Sequence, residues 1–305
     1  MIHTLPRNRI RQSLGSRLFD TANYLFLALL GLVTVGPFVY LIMGSLTAAD
    51  AYRLSGVSFL PTEWTLTAYQ VLLGGASRIY QAIRVTLYIT LLGTLLSLTI
   101  TAALAYGLSK KQIPGRNAFV FLIFFTILFN GGMVPFYLVV KWAQMIDTLW
   151  SLMIPFLISP WYLLIMMKFF ESLPGELEDA GRIDGCSELG IFWRIVLPLS
   201  KPVLATIGLF YAVERWNEWF WATIFLTNDS LLPLQLVLRG ILSQLLHITD
   251  PNAAVDAAKM QVTNMPPVEV LRMAAIVVTV LPIALVYPFL QKYFVKGVMI
   301  GAIKG

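Results

Sequence analysis

The densest set of reactive side chains in the 305-residue sequence is Glu214-Arg215-Trp216-Asn217-Glu218-Trp219, set inside an otherwise apolar run. Ionisable groups in such a run are costly unless they face a cavity or one another. On a helix, Glu214 and Glu218 share a face at four-residue spacing, and Arg215 lies three residues from Glu218. Two uses fit these residue types. In the first, the carboxylates and Asn217 bond hydroxyls while Trp216 and Trp219 offer flat apolar faces to sugar rings. The segment is then one wall of a translocation pathway, and an Arg215 facing the cavity would favour an anionic sugar. In the second, Glu218 neutralises Arg215 and the tryptophans pack between helices or anchor at an interface. Arg84 and Lys141 could likewise meet an acidic substrate, and snorkelling to headgroups explains both equally well.

Other chemistries lack their residues. The single cysteine, Cys186, permits no internal disulfide. The two histidines, His3 and His247, are too far apart in sequence for a usual metal-ligand spacing. Without an H-E-x-x-H motif or a plausible nucleophile–base pair, an intramembrane enzyme has nothing to work with. No G-x-x-x-x-G-K-[ST] phosphate loop is present, so ATP, if used, is bound by another polypeptide.

The elements that position these residues must be membrane helices. Of the sequence, 58% is hydrophobic and 12% charged, with a mean hydropathy of +0.76. Soluble domains carry about a quarter charged residues. A chain this poor in charge cannot cover a water-facing surface, so lipid must be its main solvent. Six spans are expected, over residues 22–46, 83–107, 118–141, 149–169, 203–226 and 272–291, each near the ~20 residues that cross hydrocarbon. Helices satisfy backbone groups internally in lipid, and strand alternation is absent. The first span is too long for a signal peptide and lacks a cleavage pattern, so it is expected to be retained.

The net charge of +6 fits basic residues gathered in cytoplasmic loops better than nucleic-acid binding. Arg7, Arg9, Arg11 and Arg17, then Lys110, Lys111 and Arg116, then Lys168, Arg182, Arg194 and Lys201, and finally Lys292, Lys296 and Lys304 all fall on one side of a six-span chain. That side is the cytoplasm, with both termini inside. The expected organisation is a cytoplasmic segment over 1–21, a transmembrane domain over 22–291 and a cytoplasmic tail over 292–305. The outer loop over 227–271 holds Leu234, Val237, Leu238, Ile241 and Leu245 at helical spacing, which predicts an amphipathic helix at the outer surface or against the bundle. Asn130-Gly131-Gly132 with Pro135 would end or kink span three, or mark a broken helix at a binding site.

The loop over 171–202 is too polar to span and too patterned to be a passive connector. Pro174 suits a first helical turn, and Glu176, Glu178 and Asp179 add favourable negative charge there. Asp184-Gly185 reads as a turn. Ser187 can cap a second helix carrying Ile191, Phe192, Ile195 and Val196, which Leu197-Pro198 would break. The apolar face needs cover, from a partner, from lipid or from the bundle itself.

Glu178-Asp179-Ala180, Asp184-Gly185 and Ile195-Val196-Leu197-Pro198 together resemble the "EAA" signature of bacterial ABC importer permeases, placed between the antepenultimate and penultimate helices of the bundle. Asp179 stands where that pattern usually has alanine, adding a charge, and Cys186 where a small residue is common. Phe129-Asn130-Gly131-Gly132-Met133-Val134-Pro135, Asp147-Thr148-Leu149-Trp150 and Trp216-Asn217-Glu218 look like carbohydrate-uptake permeases of the MalG type. The tail over 293–305 looks like the LplC-like subgroup, which handles complex and often acidic oligosaccharides, an alginate oligosaccharide importer being one candidate system.

The resemblance implies an all-α membrane fold of six transmembrane helices, the type I ABC importer permease bundle, with a cytoplasmic coupling helix. It implies that Glu178, Asp179, Ala180, Asp184 and Gly185 lie at the contact with an ATPase. The chain itself would bind no cofactor, with ATP and Mg on the partner ATPase subunit. Its partners would be a second, similar permease subunit, two ATPase subunits and an extracytoplasmic solute-binding protein, in the lipid of the inner membrane. The competing reading is a self-powered secondary transporter using intramembrane carboxylates such as Glu214 or Glu218.

Overall fold

The computed structural model describes residues 14–55, 61–74, 78–246 and 266–302. His3, Arg7, Arg9, Arg11, His247 and Lys304 lie outside the described residues, as does much of the outer loop. Fourteen helices are described, in the order α1 (Leu14–Ser45), α2 (Ala49–Ser55), α3 (Thr67–Leu73), α4 (Arg78–Ser109), α5 (Arg116–Leu128), α6 (Met133–Trp142), α7 (Pro160–Glu171), α8 (Gly175–Ile183), α9 (Glu188–Ile191), α10 (Leu197–Leu199), α11 (Lys201–Trp216), α12 (Phe220–Phe225), α13 (Leu234–Leu246) and α14 (Val268–Ala302). No strand occurs among the described residues; Thr47 and Trp64 form one isolated bridge.

Three of these helices are long and apolar enough to cross a membrane unbroken: α1, α4 and the first part of α14. The other three expected spans are interrupted. Span three divides into α5 and α6 around 129–132, where Gly132 has φ +88°. Span four begins as two single turns, Leu149–Leu152 and Ile154–Phe156, and only α7 continues as regular helix, bent by 45° from them. Span five is α11, which ends at Trp216, followed by the short α12. Counting 149–156 with α7 as one span, and 188–199 with α11 (bent by 83°) as another, gives up to five among the described residues. Among the described residues the expected spans are thus not all single unbroken helices. Pro155 and Pro160 explain part of the difference, because neither has an N–H for the preceding turn. α14 continues to Ala302, past the expected end of span six.

α4 is the centre of the bundle. One face carries Gly93, Ser97, Thr101, Ala102 and Ala105, small enough for α7 and α11 to pack closely against it. Packing of this kind, with interhelical hydrogen bonds, replaces the hydrophobic drive that lipid removes. Tyr211 of α11 supplies such bonds: its hydroxyl lies 2.8 Å from Thr101 Oγ1 and accepts the Ser159 N–H at 2.9 Å. The end of α4 near Ser109 packs with Phe170, Ile191, Phe192 and Val196. The end near Arg78 packs with Leu72, Leu234, Leu238 and Val270.

The amphipathic helix expected in the outer loop is α13. Leu234 and Leu238 are buried, and Val237 and Ile241 pack beside them against α3, α4 and α14, so it lies on the bundle.

Candidate functional site

The polar cluster at 214–219 sits where span five breaks. α11 runs regularly to Trp216, then Asn217 caps it, and α12 starts at Phe220. Glu218 therefore does not continue the face of Glu214, as helical spacing predicts. Its Oε1 accepts the Trp221 N–H at 2.8 Å instead, serving an otherwise open donor at the start of α12. Glu214 stays exposed and accepts a hydrogen bond from the Tyr162 hydroxyl.

A cavity of about 330 Å³ opens at this break, lined by Phe156, Glu214, Arg215, Asn217, Glu218, Trp219, Phe220 and Trp221. Five of the six expected pathway residues border it. Trp216 does not. It is buried among Ala68, Leu234 and Val270, and its indole Nε1 donates to the Thr279 carbonyl at 3.1 Å. A tryptophan this committed to α14 has no face to offer a ligand.

Arg215 borders the cavity, but its donors are turned elsewhere. It is 4% exposed. The guanidinium donates to the carbonyls of Leu152 at 2.5 Å, Phe156 at 2.6 Å and Met153 at 3.4 Å, and to Ser97 Oγ at 3.2 Å. The Leu152 and Phe156 carbonyls are open because the start of span four is single turns rather than helix, whereas that of Met153 also accepts the Phe156 N–H at 3.3 Å. The expected neutralisation by Glu218 is not the arrangement: among the described residues no ion pair joins them. Gly93 makes the room, since a Cβ there would lie 3.3 Å from Arg215 Nε. Arg215 therefore has its terminal N–H groups engaged within the chain rather than turned to the cavity.

Three contributors escaped the reading of the sequence. Tyr162 and Phe156 come from the interrupted fourth span. Arg239 comes from α13, with its guanidinium carbon 3.7 Å from the centre of the Trp219 ring, within cation–π range. On the same helix, Gln235 Nε2 donates to Asn217 Oδ1 at 3.2 Å. No short-range pattern connects 235 and 239 with 217 and 219.

Near this end of the bundle, Asp147 (φ +60°) ties two loops together. Its Oδ1 accepts the N–H groups of Asn228 at 2.8 Å and Thr227 at 2.9 Å, and its own N–H donates to the Phe225 carbonyl at 2.8 Å. The two backbone donors hold its carboxyl below the usual carboxylate range.

At the opposite end lies the 171–202 segment. Pro174 precedes α8 rather than entering its first turn. Gly185 has φ +77°, which a residue with a side chain rarely adopts, so the turn requires glycine. Ser187 caps α9 as expected, accepting the Gly190 N–H at 3.2 Å. The following helix does not break at Leu197-Pro198. A wider π turn over 192–196 leads into α10, and the chain turns only at Ser200. The extra residue of a π turn suits the place just ahead of a proline that cannot donate.

The apolar face of this segment folds under the bundle. Ile191, Phe192 and Val196 are buried against Tyr106, Phe170 and Ile207. A different set is left uncovered, with Ile183 86%, Leu189 72% and Trp193 57% exposed. Ala180, Asp184 and Gly185 are exposed alongside them.

Glu178 is mostly covered and paired within the chain, to Lys110 and, at 3.6 Å, to Arg182. Arg182 also reaches Asp179 and Glu188, each at 2.8 Å. This pairing holds the Glu188 carboxyl below its ordinary range. Gly181 is buried where α8 crosses the next helix: a Cβ there would meet Ile195 Cδ1 at 2.7 Å and Ile191 Cγ1 at 3.2 Å.

Known proteins resemble this chain over nearly all of its length. Residues 115–300 match the family described as the binding-protein-dependent transport system inner membrane component. Protein LplC of Bacillus subtilis is 42% identical over 304 residues, covering 100% of this chain and 99% of its own. The polygalacturonan/rhamnogalacturonan transport system permease protein YtcP of the same organism is 39% identical, over 95% and 99% of the two chains. A chain from the crystal structure of a bacterial ABC transporter involved in the import of the acidic polysaccharide alginate superposes with a TM-score of 0.84 at 33% identity, covering 93% of this chain and 99% of that one.

Proposed function

The chain belongs to the family of binding-protein-dependent transport system inner membrane components, and from that premise we propose that it is the permease subunit of an ATP-driven importer of sugar oligomers, acidic ones included. The observation that carries this reading is the pairing of two features on one bundle. At one end, the broken fifth span leaves a cavity walled by carboxylates, an amide and aromatic rings. At the other, a helix pair projects Ile183, Leu189 and Trp193, which nothing among the described residues covers. Both relatives named for uronate-containing polysaccharides, polygalacturonan/rhamnogalacturonan and alginate, support an acidic cargo.

In this reading the helix pair at 175–199 docks an ATPase subunit, with Ala180, Asp184 and Gly185 at the contact and Glu178 and Asp179 beside it. ATP and Mg are bound by that partner. A second, homologous permease completes the pathway, two ATPases drive it, and an extracytoplasmic solute-binding protein delivers the cargo. Both termini are cytoplasmic, as the distribution of Lys and Arg favours. Closure of the ATPases displaces the helix pair, and the spans rock between two states that ligand and nucleotide bias.

The test is ATP-dependent uptake of labelled oligosaccharides by the reconstituted complex, with wild-type chain and with Gly185→Pro. Proline cannot take the φ of +77° found at this turn. The variant is expected to insert in the membrane but to lose both ATPase assembly and uptake. Uptake that persists in the variant and needs no ATP would return the secondary-transporter reading, with Glu214 and Glu218 as its carboxylates.

A further inference from the structure

We infer that Arg239, on the helix that lies against the outer part of the bundle, is the residue by which this chain selects acidic over neutral sugar oligomers. The inference rests on the importer reading and assigns the charge preference to one side chain.

The argument starts from what the cavity wall lacks. Glu214, Asn217 and Glu218 are suited to accept hydrogen bonds from hydroxyls, and two of them carry negative charge when ionised. A wall made of these groups alone repels a uronate. Arg215 places a positive charge near them, but four hydrogen bonds to Leu152, Met153, Phe156 and Ser97 commit its terminal N–H groups, so it offers no fork to a carboxylate.

Arg239 is differently placed. Its guanidinium stacks on Trp219, a residue of the cavity wall, at 3.7 Å from the ring centre. Stacking engages the flat face of the cation and leaves the N–H groups around its edge in plane, in the fork that matches a carboxylate. The side chain is exposed, and among the described residues it forms no ion pair. The hydrogen bond from Gln235 to Asn217, one turn earlier on α13, fixes the helix against the same wall. A charged head lying over a ring that lines the cavity, with no hydrogen bond or ion pair from it among the described residues, is arranged to receive an anion. The hydroxyls of the same sugar would then reach Glu214 and Glu218.

The experiment compares one oligogalacturonate with its fully methyl-esterified form, which keeps the sugars and linkages and removes the charge. Uptake of each is measured in proteoliposomes containing the whole complex, with wild-type chain, Arg239→Gln and Arg239→Lys. The binding protein is the same throughout, so its own preference cancels when the acid-to-ester ratio of a variant is divided by that of wild type. Arg239→Gln is expected to lower that ratio about tenfold, and Arg239→Lys to lower it less, since lysine keeps the charge without the fork. Loss of both forms in equal proportion would make Arg239 a structural residue and overturn the assignment, as would an unchanged ratio. A wild-type complex that imports neither form, while its ATPase assembles and turns over, would count against the sugar-importer reading itself.

Discussion

At the scale of single residues, two buried positions each hold one end of the bundle in shape. Arg215 is the first. Three of its four hydrogen bonds serve backbone carbonyls, of which those of Leu152 and Phe156 are left open by the broken fourth span, and a buried acceptor without a partner costs about 1–3 kcal/mol. Arg215→Leu is therefore expected to cost ~3 kcal/mol or more and to lower the detergent melting temperature and the yield of the membrane protein. A variant of normal stability that fails only in uptake would restore Arg215 to the pathway. Gly181 is the second. Alanine there meets the flexible end of Ile195 at 2.7 Å and Ile191 Cγ1 at 3.2 Å, so Ile195 must shift and Ile191 give by a few tenths of an ångström. Gly181→Val also drives into Ile191, and overpacking of this kind costs about 1–3 kcal/mol. The expected order of melting temperatures is wild type, then Gly181→Ala, then Gly181→Val, with Ile195→Val restoring most of the loss in the alanine variant. Equal melting temperatures across the series would show that the crossing is looser than these distances.

At the scale of elements, the segment at 175–199 is held to the bundle as well as exposed. Lys110, just past the end of α4, pairs with Glu178, and Arg182 links Glu178 to Asp179 and Glu188. A displacement of the helix pair is thereby passed to α4, whose other residues pack around Arg215. Lys110→Glu and Glu178→Lys should each reduce sugar imported per ATP hydrolysed several-fold, and the double exchange should recover most of it, as coupled charge pairs do in double-mutant cycles. If Glu178 instead contacts the ATPase directly, Glu178→Lys alone will abolish assembly and the exchange will not rescue it. How much of this was legible beforehand varies by element. α1, α4, α13, the Ser187 cap and the Gly185 turn follow from hydropathy, periodicity and local chemistry. The break at 129–132 was likewise marked by Asn130-Gly131-Gly132 with Pro135, but those at 143–159 and 217–219 do not follow, because an interrupted span looks as apolar as a continuous one. What permits them lies elsewhere in the chain: Arg215 for the carbonyls near 152–156, Asp147 for the N–H groups at 227 and 228. The apolar face of Ile191, Phe192 and Val196 was visible, but not that the bundle itself covers it, since periodicity reports a face and not its neighbour.

At the scale of the whole molecule, the bundle has two chemically distinct ends joined by α4, which at 32 residues is about 48 Å long. One end gathers Arg78, Asp147, Asp229 and the cavity rim; the other gathers Lys110, Arg116, Glu171 and the 175–199 helix pair. The cost of moving charge through hydrocarbon keeps these ends on opposite sides. If the excess of basic residues sets the direction, the second end is cytoplasmic. Single cysteines test this, because the chain has only Cys186 to remove first. In a Cys186→Ser background, Thr62→Cys and Gln112→Cys both place the thiol at exposed positions, one in the loop before α3 and one in the turn between α4 and α5. An impermeant maleimide added to intact cells whose outer barrier has been opened should label Thr62→Cys at once and Gln112→Cys only after the inner membrane is permeabilised. The reverse pattern would put the helix pair outside, where no ATPase could reach it, and the import mechanism would fail with the topology. The expected pattern would leave α4 as the span that carries a cytoplasmic displacement to a cavity more than half a bilayer away.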